Sequence, residues 1–140
     1  MRNLLLLPYR AVFLVLSVGL SSCGSPSGIA ATPAAQAKAA EDSLLTRHDQ
    51  IMGQAERISI LKAQLLAAKV PAKAPVVARL ETAYQGMMGW MHAYQAPDSL
   101  APAAQRLTYL RGQQRQLTGV EKQLTTALDS AQATLRRAGR

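Results

Sequence analysis

Residues 103–135, AAQRLTYLRGQQRQLTGVEKQLTTALDSAQATL, decide the fold. Ala103, Leu107, Leu110, Gln114, Leu117, Glu121, Leu124, Leu128, Ala131 and Leu135 follow one another at alternating four- and three-residue steps. That spacing puts them on one stripe of a helix, the seam from which coiled coils are built, with Gln114 and Glu121 as its polar interruptions. Gly112 and Gly119 each cost about 1 kcal/mol relative to Ala in a helix, yet the seam keeps its phase across both, which predicts one long helix over about 100–137. A break at the glycines, giving four helices in all, is the alternative.

Two shorter periodic segments precede it. The first, about 38–69, carries Leu44, His48, Ile51, Ala55, Ile58, Leu61 and Leu65 on one helix face; the second, about 75–95, carries Val77, Leu80, Tyr84, Met87, Met91 and Tyr94. Val70-Pro71-Ala72-Lys73-Ala74-Pro75 separates the first two segments, Pro97-Asp98-Ser99 separates the last two, and no β-branched alternation occurs. The expected fold is all-α, an antiparallel three-helix bundle with a long C-terminal coiled-coil-like helix. Gly53, Gly86 and Gly89 are expected to let the first two helices approach closely. Because the second segment is short, it covers the third only to about Val120. Leu124, Leu128 and Leu135 are then expected to project as an apolar interaction seam, covered by a second copy of the chain or by another envelope protein. Arg136, Arg137 and Arg140 make that tip cationic.

The chain of 140 residues is long enough for one small domain, and its single cysteine cannot form an internal disulfide. At the N-terminus Arg2 and Arg10 flank an apolar start, and the run Ala11–Leu20 is about half the roughly 20 residues that a membrane span needs. Leu20-Ser21-Ser22-Cys23 follows directly and resembles the bacterial lipobox. The resemblance implies a signal peptide over 1–22 and an acylated Cys23 as the mature N-terminus. Three acyl chains, at about 0.8 kcal/mol per buried methylene, would hold the protein on a lipid bilayer without spanning it. Residues 23–40 are expected to be the lipidated cysteine and a flexible tether of small residues, and 41–140 the helical domain. Loss of the leader takes two cations and no acid, lowering the formal charge from +8 to +6. A basic surplus suits anionic surfaces; without an aromatic-interleaved basic stripe, nucleic acid is not an expected partner.

The carboxylates are scattered singly, there are two histidines, and no Gly-rich loop follows a strand, so the pattern points away from an enzyme. The chemically suggestive set is His48 and Met52 on the first helix with Met88, Met91 and His92 on the second. His48/Met52 and Met88/His92 are each four apart, on single helix faces. A turn near Ala72 would bring Met52 level with His92. Two imidazoles and several thioethers form a soft set suited to Cu(I), and a copper-binding role is the alternative to a structural or interaction role. Methionines at helical spacing also serve as ordinary core filling.

At His48-Asp49-Gln50-Ile51-Met52, Met87-Met88-Gly89-Trp90-Met91-His92-Ala93-Tyr94 and Tyr109-Leu110, the chain resembles small Bacteroidota lipoproteins labelled "viral A-type inclusion protein". The resemblance covers about residues 41–137, and its most specific part is Met87-x-x-Trp90-Met91-x-x-Tyr94. Gln50 and Gly53-Gln54 depart from the related pattern, which has Glu after His-Asp and a Pro and a second Met after the first Met. Lipoproteins of that phylum sent to the cell exterior tend to carry acids after the acylated cysteine. Gly24-Ser25-Pro26-Ser27 has none, so the resemblance implies a bundle on the outer membrane facing the periplasm.

Overall fold

A computed structural model describes residues 31–71 and 73–139. The leader, Cys23 and the first part of the tether lie outside the described residues. Three helices make up the fold: α1 (Pro33–Ala67), α2 (Ala74–Ala93) and α3 (Ala103–Ala138), with no strand among the described residues. The long third helix runs unbroken through Gly112 and Gly119, as the phase of its seam requires.

Helix α1 starts earlier than the sequence suggests. Thr32 caps it, its hydroxyl accepting from the Ala35 amide at 3.2 Å, and Pro33 occupies the first turn, where its missing N–H costs nothing. Residues 33–40 are therefore helix and not tether, and Ala37 is fully buried. The physical reason is composition: six of these eight residues are Ala or Lys, and both rank high in helix propensity. At the other end the Lys73 ammonium donates to the Leu66 and Ala68 carbonyls, at 2.6 and 2.9 Å, and satisfies the last turn of α1.

Helices α1 and α3 are parallel and packed along most of their lengths. Gln114 donates to the Ala40 carbonyl at 3.1 Å, and the Arg47 guanidinium pairs with Glu121 while bonding Thr118 at 2.9 Å. Both Gln114–Ala40 and Arg47–Glu121 span 74 residues, a constant offset that only a parallel pair produces. The two polar interruptions of the α3 seam thus set the register of α1, as single polar residues do in coiled coils. Helix α2 runs antiparallel to both, joined to α1 by Lys62–Glu81 and to α3 by Arg79–Ser130.

This arrangement overturns the projecting seam. Leu124 is 0 % and Leu128 3 % exposed, and Leu135 is half-buried against the core. The stretch after α2 is not a tight turn. Tyr94 is extended, and an irregular segment carries the chain on past the end of α2 before Asp98 turns it, its carboxylate accepting from the Leu100 amide at 2.9 Å. Helix α3 consequently begins within about one turn of the start of α1, and at 36 residues against 35 the two run side by side over most of their lengths. Leu124 and Leu128 are buried within a single copy of the chain.

The buried face of α2 is also rotated from the expected one. Val76, Leu80, Ala83, Met87 and Trp90 are buried, Val77, Met91 and Tyr94 are partly so, and Tyr84 is 41 % exposed. Apolar residues surround much of this helix, which leaves its orientation to tertiary packing. The glycines do not mark a close α1–α2 contact: a Cβ at Gly53 or Gly89 would meet nothing within 4 Å, and one at Gly86 would meet only the Gln123 side chain at 3.2 Å.

Candidate functional site

The motif Met87-x-x-Trp90-Met91-x-x-Tyr94 has i, i+3, i+4, i+7 spacing, so its four side chains share one side of α2. They face the place where the lower part of α2 meets the other two helices. Met87 is fully buried, and beside it an aromatic column crosses the bundle. The His48 ring of α1 lies 5.8 Å from Trp90, Trp90 stacks on Tyr94 at 5.4 Å with 26° between planes, and Tyr94 lies 6.4 Å from Tyr109 of α3. These spacings fall within the range in which aromatic pairs add about 0.5–1.5 kcal/mol beyond burial. Tyr109 also accepts from the Gln95 amide at 3.1 Å, which pins the chain leaving α2.

Two features of the column are unusual. The indole Nε1 of Trp90 is buried without a hydrogen-bond partner, a cost of about 1–3 kcal/mol when set against a satisfied donor. The Tyr94 phenol is raised above the ordinary tyrosine value of 10.0, first by burial and then by the nearby Glu41 carboxylate and Tyr109. A raised phenol in the folded state means that the native protein holds this proton more tightly than the unfolded chain. Its contribution to stability is complete below about pH 10 and is lost as pH rises through the folded value. Tyr94→Phe should therefore remove part of the alkaline decline in stability seen in urea melts taken on both sides of pH 10. An alkaline decline identical in the two proteins would show that Tyr94 is not the group responsible.

The members of the His/Met set stand in different surroundings. His48 faces Trp90, with its Nδ1 3.0 Å from Asp49 Oδ1, and Met52 and Met91 pack against the flank of the core. Met88 and His92 each stand two residues from Trp90, and at roughly 100° per residue this turns both about 160° away from it. His92 is accordingly exposed. The sequence placed the two pairs level along the bundle, and Met88 is half-buried on α2. Among the described residues no group of three or more His, Cys, Asp or Glu side chains is placed to hold a metal ion.

Helices α1 and α2 diverge over an open groove of about 710 Å³, lined by Met52, Ala55, Ile58 and Ser59 on one side and Tyr84 and Gln85 on the other. The Lys62–Glu81 pair bridges its rim. Sequence reasoning missed this groove because it assigned Tyr84 to the core. It missed the Arg47–Glu121 clamp for a different reason: a lone arginine on a helix flank carries no local signal of a partner 74 residues away.

No family model matches the chain, and neither a curated protein nor a solved structure proves similar to it. No helix among the described residues is long and apolar enough to cross a membrane.

Proposed function

We propose that the protein is a lipid-anchored helical lipoprotein of the bacterial cell envelope, facing the periplasm, in which the bundle serves a structural or protein-interaction role and not an enzymatic one. The observation that carries this reading is the coincidence of the only cysteine with the last position of Leu20-Ser21-Ser22-Cys23, directly behind a charged and apolar leader. Helix α1 begins ten residues after Cys23, so the acyl anchor would enter the bundle at the N-terminal end of α1. The bundle itself supports the role: its polar side chains are spent on register and on caps, and its aromatic side chains on packing.

Expression in a bacterial host tests the anchor. Wild-type protein should enter the detergent phase on phase separation, with a mass lower by residues 1–22 and higher by the acyl groups. Cys23→Ala should lose the acyl mass increment and remain uncleaved. A Cys23→Ala protein with the same mass and the same partitioning as wild type would end this reading.

A further inference from the structure

The end of the bundle where α1 meets α2 is strongly cationic. Between Arg57 and Leu80, and again after Asp129, the chain contains no acidic residue. Parallel packing brings these two stretches together, so Lys69 and Lys73 of the α1–α2 connection stand at the same end as Arg136 and Arg137 in the last turn of α3. Among the described residues none of the four is in an ion pair. Helix poles do not account for the excess. Two C-termini and one N-terminus, each worth about half an elementary charge, leave about −0.5 at this end against four positive side chains.

The cations stand beside apolar surface. Lys69, Arg137 and Thr134 share a hollow of about 440 Å³ with Val70, Pro71 and Val76, and the last turn of α1 beside it exposes 54 % of Leu66. Basic groups beside exposed apolar side chains are the chemistry of an interfacial contact: phosphates bind the cations while the aliphatic groups enter the headgroup layer.

We infer that this pole docks on an anionic phospholipid surface. It lies about 50 Å from the start of α1 at roughly 1.5 Å per residue, so it is a second membrane contact, independent of whether Cys23 is acylated. Charge complementarity favours a lipid surface over a protein partner, because the four basic groups sit at one end of the bundle with no acidic residue among them to fix an orientation.

The test is vesicle flotation of the full chain with neutral phosphatidylcholine vesicles and with vesicles roughly one-third phosphatidylglycerol. Neutral vesicles report whatever the N-terminal residues contribute; the increment with anionic lipid reports the pole. Lys69→Glu with Arg136→Glu alters two exposed side chains that bond nothing in the structure, so melting should stay at the wild-type value. Each basic residue near an anionic surface is worth about fivefold in partitioning, so the pair should reduce the increment by at least about 25-fold and leave neutral binding unchanged. Arg111→Glu with Arg115→Glu makes the same change in net charge at the opposite end and should reduce the increment far less. Equal losses from the two pairs would reduce the effect to net charge and overturn the proposal, as would equal binding of the wild type to neutral and anionic vesicles.

Discussion

Leu124→Glu with Leu128→Glu should unfold the chain, with loss of the far-ultraviolet helix signal at 25 °C. Both side chains are buried, at 0 % and 3 % exposure, among residues of α1 and α2. Removing them from the core forfeits about 1.5–3 kcal/mol each in apolar burial. Placing a carboxylate there adds several kcal/mol more for each, unless it takes up a proton. A domain of this size has about 5–15 kcal/mol in all, so the sum equals or exceeds what is available. Leu124→Ala, at about 2–5 kcal/mol, should leave a folded protein with a lower melting temperature. A doubly substituted chain that kept its helices and changed only its sedimentation would restore the projecting seam and contradict the parallel α1–α3 pair.

At Trp90 the size of the effect should depend on what replaces the indole. Trp90→Ala should cost about 3–5 kcal/mol, because it empties the centre of the aromatic column and leaves His48 and Tyr94 without their shared neighbour. Trp90→Phe keeps a ring in the column and removes the buried Nε1–H that has no acceptor. The relief of that unsatisfied donor, about 1–3 kcal/mol, offsets much of the lost area, so Phe should lie within about 1 kcal/mol of wild type. Urea melts of the three proteins give the order directly. A Phe variant as unstable as the Ala variant would show that the indole N–H is satisfied in solution.

Periodicity in the sequence was sufficient for the three helices, the unbroken run through Gly119 and most of the core: Leu44, Ile51, Leu65, Leu80, Met87, Leu110 and Leu117 were all legible as core stripe positions and are all fully buried. What it could not reveal was the height of α3. That depends on how far an irregular segment travels, and Gln95-Ala96-Pro97 reads equally well as a turn or as an extended run. That ambiguity left Leu124 and Leu128, which are buried, reading as free. The helix start at Pro33 was legible in Thr32-Pro33 followed by alanines, but the small-residue composition of that stretch also describes a linker. For the His/Met set, the spacing gave the level of each residue along the bundle. The facing of α2 was unreadable because that helix is apolar on too many sides.

The parallel pairing of α1 with α3 also bears on how the chain reaches its native state. The first helix finds its main partner 74 residues downstream. Closing a loop of that length costs about 2 kcal/mol more than closing one of about ten residues, such as the connection between α2 and α3. Sequence-adjacent α2 and α3 are therefore the natural first pair, with α1 docking last along the face they leave open. A bundle usually folds by local contacts as it emerges from the ribosome or a translocation channel. Here α1, although made first, can meet only α2 at Lys62–Glu81 and His48–Trp90 until α3 follows, and until then much of its apolar face depends on whatever accompanies an unfinished chain.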